Sequence, residues 1–105
     1  MLNDADLWGA ILTNASLGSA DLSRAYLSGA NLKDADLSHA IFEDAVIRCS
    51  ANTYCTNFKG ATNITPQQIK KSRNWKQACY DPDFRIELGL PPENPKHCAG
   101  DEPKK

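Results

Sequence analysis

The sequence is poor in the features that mark the commonest functional classes. Only 8% of its 105 residues are aromatic, and acidic and basic residues nearly balance at a net charge of −1. A near-neutral chain is not a nucleic-acid binder by its overall charge. No apolar run approaches the roughly 20 residues that a membrane helix needs, so we expect no membrane insertion. The chain length favours one small domain with a modest core.

Groups that could perform catalysis are equally scarce. Neither of the two histidines, His39 and His97, has a partner at metal-ligand spacing, and no glycine-rich phosphate loop is present. The acidic residues fall in separate turns, and a general acid–base pair needs a cleft that brings two such groups together. The sequence therefore predicts a protein that is not an enzyme and that has no cofactor or metal site.

The four cysteines leave three interpretations open. An even number in a small domain favours disulfides and an oxidising compartment. Four reduced thiols are the alternative, and a structural zinc site fits poorly because no C-x-x-C is present. Four cysteines allow three pairings, and the sequence does not choose among them. We prefer the pairing Cys49–Cys55 and Cys79–Cys98. The first disulfide would fix a local bulge between its two cysteines, and the second would attach the C-terminal tail to the rest of the chain.

What the chain has in abundance is a repeat of five residues. Alanine stands at every fifth position from Ala5 to Ala45, and a large apolar residue follows two places after each alanine. These large residues are Leu7, Leu12, Leu17, Leu22, Leu27, Leu32, Leu37, Phe42 and Ile47. A period of five fits neither a helix nor a strand, but a chain that turns every five residues keeps all of them inward. The Asp, Asn, Ser and Gly residues between them suit turns.

The units "ADLWG", "ADLSR", "ANLKD" and "ADLSH" resemble the A(D/N)LXX unit of the pentapeptide-repeat family. The resemblance is strong over residues 5–49 and interrupted over 50–63. It implies an all-β solenoid, a right-handed quadrilateral β-helix of about three coils with four units per coil. Residues 20 apart should then stack, for example Leu7 under Leu27.

Some members of this family are acidic rods that mimic DNA and block gyrase. In the register of this chain, Asp6 would stack under Tyr26 and Ser16 under Asp36, so no acidic ladder forms. Arg24 would meet Asp44 in an exposed ion pair. A DNA mimic therefore ranks third among our functional hypotheses, below the binding or scaffold module and the cytoplasmic regulator described at the end of this subsection.

After Ile47 the five-residue repeat breaks. Residues 50–55 number six, which predicts a one-residue bulge, and the next unit, 56–60, turns Phe58 inward. A helix is predicted over residues 66–80, begun by a capping box of Thr65 and Gln68 around Pro66. A second short helix is predicted to be capped by Asp81 and to end at Gly89.

These features divide the chain into a repeat region over residues 1–63, a helical cap over 64–90 and a polar, Pro-rich tail over 91–105. We expect the cap to seal the last coil through four anchors, which are Ile69, Trp75, Phe84 and Leu88. The segment after the repeats also resembles that of some cyanobacterial and plant-plastid family members. With the four cysteines, this resemblance implies the thylakoid lumen, reached after removal of a targeting peptide.

One surface is predicted to be an interface. The stacked units 5–9, 25–29 and 45–49 turn Trp8, Tyr26 and Val46 outward, and exposed aromatic clusters often mark binding sites. The alternative is that the N-terminal residues or the tail cover them. We expect a binding or scaffold module with an unidentified protein partner or self-association. The main alternative is a cytoplasmic cyanobacterial regulator that binds and inhibits a protein.

Overall fold

The chain winds into coils that stack through isolated parallel β-bridges. The computed structural model describes residues 2–49, 54–95 and 97–100. In the first coils the bridge partners are 20 residues apart, as in the column Asp6, Tyr26 and Val46. The other three columns begin with Ile11–Asn31, Ser16–Asp36 and Asp21–Ile41. Each coil therefore has four bridge positions, and the predicted register of 20 residues is confirmed.

A turn closes each five-residue unit. The alanine N–H donates to the carbonyl oxygen of the large residue three positions earlier, as Ala10 does to Leu7 at 3.0 Å. The residue before each alanine is left-handed, with φ from 57° at Asp44 to 69° at Gly29. Turns of this kind favour Gly, Asn and Asp at that position.

The turns also limit how much β-structure can form. Two of the five residues in each unit lie in the turn, so only single residues bridge neighbouring coils. Within the described parts of the chain no continuous β-strand is present. The prediction of an all-β class is thus met only by bridges, not by strands.

The core is a stack of leucines and alanines that becomes aromatic towards the C-terminal end. Leu22, Leu27, Leu32 and Leu37 are fully buried, together with Phe42, Ile47 and Phe58. In the first coil Leu7, Leu12 and Leu17 are partly buried. The coil starts earlier than the predicted Ala5, because the N–H of Leu2 already donates to the carbonyl of Asp21 at 3.1 Å.

The register shifts by six residues after Cys49. Asn57 bridges Asn31, a spacing of 26 rather than 20. The predicted one-residue bulge is therefore wrong, since it would place Asn57 in the column of Asp36. Cys49 and Cys55 are antiparallel bridge partners joined by a disulfide, so the coil resumes beside the point where it left. Residues 50–53 of the predicted bulge lie outside the described residues.

Three short helical segments follow. They are α1 (Pro66–Lys70), a 3₁₀ helix (Trp75–Gln77) and α2 (Pro82–Glu87). The capping box at the start of α1 is confirmed, with the N–H of Gln68 donating to Thr65 Oγ1 at 3.2 Å and the N–H of Thr65 donating to Gln68 Oε1 at 2.7 Å. We predicted a longer helix, over residues 66–80, and this is wrong. The chain returns to the coil at Arg73, which bridges Val46, and Asn74 is left-handed with φ 62°.

The ends of α2 differ in how well the sequence predicted them. Asp81 stands at the N-cap, but its side chain makes no capping hydrogen bond; both carboxylate oxygens accept instead from the N–H of Gly60 at 3.1 Å. Gly89, with φ 85°, ends the helix as predicted. The N–H of Leu90 donates to the carbonyl of Arg85 at 2.8 Å, which is the Schellman pattern.

The tail is tied to the coils. Cys98 forms a disulfide with Cys79, the N–H of Cys55 donates to the carbonyl of His97 at 2.7 Å, and the N–H of Ala99 donates to the carbonyl of Cys55 at 2.8 Å. Lys96 and residues 101–105 of the predicted tail lie outside the described residues. None of the helices in the described ranges is long and apolar enough to cross a membrane.

Candidate functional site

The aromatic face is built by one column of bridges and the turns beside it. Tyr26 bridges Asp6 on one side and Val46 on the other. Trp8 lies in the turn that follows Asp6, and the backbone N–H of Trp8 donates to Asp6 Oδ1 at 3.2 Å. Trp8 and Tyr26 are 58% and 56% exposed, so each of these two residues keeps more than half of its surface open to solvent.

An open cleft of about 760 Å³ runs along this face. It is lined by Asp6, Trp8, Tyr26, Ser28, Arg48, Cys49 and Gln77. Stacking therefore brings together residues from three coils, with Gln77 added from the 3₁₀ helix. Val46, which we predicted as part of the interface, is half-buried and does not line the cleft; Arg48 stands there instead.

A further exposed apolar residue belongs to the next column. Ile11 is 81% exposed and follows Trp8 by three positions in the first coil. The interface prediction did not include it. Its signal in the sequence is an isoleucine in the slot that Asp or Asn occupies in four of the nine regular units.

Charged residues pair along the columns rather than across the cleft. Arg24 Nε donates to Asp4 Oδ1 at 2.8 Å, and this hydrogen bond lowers the pKa of Asp4 and raises that of Arg24. The predicted partner, Asp44, is in the same column but faces Arg73, with Nε and Oδ1 3.9 Å apart. The predicted Arg24–Asp44 pair is therefore wrong: Arg24 pairs with Asp4 of the coil before it, and Asp44 lies near Arg73. Both pairs are more than half exposed and contribute little.

The preferred disulfide pairing is confirmed. Cys49 is joined to Cys55, and Cys79 to Cys98. Cys55, Cys79 and Cys98 are buried in one cluster, and the partly buried Cys49 packs against it. The two disulfides thus lie side by side, with Cys49 at the edge that meets the cleft.

The predicted cap anchors divide into two groups. Ile69 and Leu88 are buried, with exposed fractions of 0% and 3%, whereas Trp75 and Phe84 are partly buried and pack against the core. Trp75 also has two lysines near its ring: the Nζ of Lys70 and that of Lys76 lie 5.6 and 5.7 Å from its centroid.

Sequence reasoning missed the centre of the cap, which is Tyr80. Its ring stacks on Phe58 with centroids 5.5 Å apart, and its hydroxyl donates to the carbonyl of Trp75 at 2.6 Å. The Asn94 amide makes two hydrogen bonds with the Tyr80 backbone, at 2.8 and 2.9 Å. Arg85, only 5% exposed, donates to the carbonyl of Pro91 at 2.6 Å. No periodicity marked these residues, because their partners come from irregular segments.

No cluster of three or more histidine, cysteine or acidic side chains that could hold a metal occurs in residues 2–49, 54–95 and 97–100. The two histidines lie apart: His39 is in an exposed turn, and the His97 ring contacts Tyr54 with centroids 6.1 Å apart.

A comparison with known families agrees with this repeat. The family model described as pentapeptide repeats matches in 8 copies, over residues 2–38 and 25–62. Together these matches cover more than half of the chain, so the protein belongs to the pentapeptide-repeat family. Members of this family are generally structural or binding proteins rather than enzymes. No curated protein and no solved structure gave a significant match.

Proposed function

We propose that this protein is a non-catalytic binding module that presents the Trp8–Tyr26 cleft to a protein partner. The observation that carries the proposal is the exposure of two large aromatic residues, 58% for Trp8 and 56% for Tyr26, along an open cleft of about 760 Å³. Trp and Tyr are the residue types that most often dominate binding energy. The cleft also contains one acidic and one basic residue, Asp6 and Arg48, which could fix the orientation of a partner.

We further propose that the coils form a right-handed quadrilateral β-helix. The family membership, the four bridge columns and the 20-residue spacing support this architecture. A stack of short coils is a rigid support, because each level is fixed by hydrogen bonds to the level below it. A rigid surface loses little conformational entropy on binding.

The thylakoid lumen is the proposed compartment. Two disulfides in a chain of this size suit an oxidising environment, and they leave no free cysteine among the described residues. Thiol trapping in the source organism tests this: cells are quenched in acid, free thiols are alkylated, and the intact mass counts the labels. We expect no labels before reduction and four after it. Four labels without reduction would instead favour the cytoplasmic regulator.

The binding proposal is tested by substituting both rings. The wild-type chain captures proteins from the source organism, and each captured protein is then purified and its affinity measured directly. We expect the Trp8→Ala/Tyr26→Ala variant to bind at least about tenfold more weakly, since each ring is a candidate hot spot. Ile86→Ala is the matched control, because Ile86 is 57% exposed but lies on α2 away from the cleft. Sedimentation of both variants tests self-association in the same way. Equal affinities and equal oligomeric states for all three proteins would contradict the proposal.

A further inference from the structure

The two disulfides differ in how they meet the solvent. Cys79 and Cys98 are 0% and 3% exposed, so both sulfurs of this disulfide are enclosed. Cys55 is also buried, at 3%, but Cys49 is only partly buried and lines the cleft. Of the four cysteines, Cys49 is therefore the one that a molecule in the cleft would touch.

The position of Cys49 in the cleft makes it the reachable sulfur. Arg48 precedes it in the chain and lines the cleft, where a positive charge attracts an incoming thiolate; the acidic residue of the cleft is Asp6, which belongs to the first coil. Thiol–disulfide exchange depends on which sulfur the thiolate can reach. Cys55 is only 3% exposed and lies in the buried cluster with Cys79 and Cys98, so it offers little surface to an incoming thiolate. The geometry thus directs attack to one sulfur of one disulfide.

We propose that the Cys49–Cys55 disulfide is a thiol–disulfide exchange site for a dithiol protein that docks in the cleft. The docking step rests on the proposed function of the cleft; the chemistry of the disulfide does not. Trp8 and Tyr26 would hold the partner, and Cys49 would be the sulfur that reacts. The Cys79–Cys98 disulfide would remain closed and keep the tail in place throughout.

The exchange balances in two steps. A thiolate of the partner attacks Cys49 Sγ, the Cys49–Cys55 bond breaks, and Cys55 leaves as a thiolate that takes a proton. The second cysteine thiolate of the partner then attacks the sulfur of the partner's first cysteine, which is joined to Cys49 in the mixed disulfide. This attack releases Cys49 as a thiolate, which also takes a proton. The partner dithiol loses two electrons and two protons and becomes a disulfide, while Cys49 and Cys55 gain them. An oxidised partner runs the same steps in reverse.

Reduced glutathione tests the chemistry on the unsubstituted protein. The oxidised chain is exposed to limiting glutathione, quenched in acid and alkylated, and its peptides are mapped by mass spectrometry. We expect a glutathione adduct on Cys49, formed at least about tenfold faster than any opening of Cys79–Cys98. An adduct chiefly on another cysteine, or equal rates for the two disulfides, would overturn the inference.

A trapping pair tests the docking step. Cys55→Ser leaves Cys49 as a free thiol that can attack the disulfide of an oxidised protein, and acid quenching followed by alkylation of the partner's second thiol keeps the mixed disulfide from reopening; Cys49→Ser is the control. We expect Cys55→Ser to trap a protein through Cys49, and the trapped amount to fall when Trp8→Ala and Tyr26→Ala are added. If the trapped amount is the same with and without the Trp8 and Tyr26 substitutions while glutathione still reacts at Cys49, the exchange site is supported and the docking role of the cleft is contradicted. If binding needs the rings but glutathione does not react at Cys49, the exchange inference alone fails.

A folding control accompanies the trapping pair. Because Cys55→Ser can disturb folding, the thermal unfolding of this variant is measured first. The glutathione experiment needs no substitution and does not depend on this control.

Discussion

At the scale of single residues, an Asp or Asn at the bridging position of a unit caps the turn of that unit. The side-chain oxygen of the bridging residue accepts from the backbone N–H two positions later, at 3.0 to 3.2 Å. This holds for Asp6, Asp21, Asn31, Asp36 and Asn57. Such Asx turns stabilise the corner locally, which explains why the unit favours these two residue types.

The acid response of the fold should depend on these caps. The N–H of Ser38 donates to Asp36 and, as the largest cause, holds the pKa of this carboxyl below its ordinary value. Because the folded pKa is depressed, the stabilisation is present above the unfolded pKa of about 3.9 and is lost as pH falls through the folded pKa. Asp36→Asn keeps an acceptor oxygen without the charge. We therefore expect its loss of stability between pH 7 and pH 3 to be smaller than that of the wild type, measured by urea unfolding. Glu43→Gln is the control, because it removes an exposed acid from a unit whose bridging residue, Ile41, makes no side-chain cap. An identical pH response in all three proteins would contradict the prediction.

The left-handed turn position gives a second test at this scale. Gly9 has φ 68°, and a Cβ added there would meet no atom within 4 Å. Gly9→Ala therefore isolates the backbone effect, and we expect it to lower the free energy of unfolding by about 1 kcal/mol. In Gly18→Ala, the control, φ is not left-handed, and the Cβ would meet the Ser38 hydroxyl oxygen at 3.1 Å and the Ser38 carbonyl oxygen at 3.7 Å. Equal effects of the two substitutions in chemical denaturation would contradict a role for the positive φ.

At the scale of elements, α1 is held to the coils by the buried side chain of Ile69 and by hydrogen bonds from Gln68. Gln68 completes the capping box through Oε1, while its Nε2 donates to the carbonyls of Leu37 and Ala40 at 2.9 and 3.0 Å. These carbonyls belong to the corner of the coil at which α1 begins. A helix of five residues is too short to be stable alone, so this link positions it.

Removal of this link should be costly for such a short helix. We expect Gln68→Ala to lower the free energy of unfolding by about 2 kcal/mol, because it removes half of the capping box and the hydrogen bonds from Gln68 to two carbonyls, of which that of Leu37 keeps the Ala40 N–H as a donor. The exposed neighbour Gln67 is the control, and Gln67→Ala should change stability by less than about 0.5 kcal/mol. Guanidinium denaturation of the two variants measures the difference. A Gln68→Ala variant as stable as Gln67→Ala would show that α1 is held by Ile69 alone.

At the scale of the whole molecule, the two ends of the stack are built differently. The first coil has partly buried leucines, whereas the last coil is covered by an aromatic row. In this row the ring centroids of Phe42, Phe58, Tyr80 and Phe84 follow one another at 5.5 to 5.8 Å. The Cys79–Cys98 disulfide ties the tail beside this row, so the cap and the tail close one end of the coils together.

The disulfides should therefore contribute unequally to stability. The Cys79–Cys98 bridge spans a sequence separation of 19 and the Cys49–Cys55 bridge one of 6. Loop-closure entropy then predicts a loss of about 3 kcal/mol for Cys79→Ala/Cys98→Ala and about 2 kcal/mol for Cys49→Ala/Cys55→Ala. Detachment of the tail adds to the first loss. Denaturation of both double variants measures the order, and a larger loss for the Cys49–Cys55 pair would contradict it.

The repeat itself determined the register, the inward residues and the turns. Each unit repeats the same local turn, so Leu7 and Leu27, or Asp6 and Tyr26, must take equivalent places one coil apart. Local chemistry also determined the helix ends at Thr65 and Gly89, because capping and left-handed termination depend only on neighbouring residues. The disulfide pairing that we preferred is the one observed, but the sequence alone left three pairings open.

Tertiary structure decided what depends on contacts between distant segments. The sequence could not tell that the coil resumes with a spacing of 26 residues, because only the bridge from Asn57 to Asn31 reveals the new register. Nor could it foresee that α1 ends early, since Arg73 is drawn away from the helix to bridge Val46. The cleft is decided in the same way. Trp8, Arg48 and Gln77 share one surface only because stacking sets the first coil beside later ones, and stacking is a property of the folded chain.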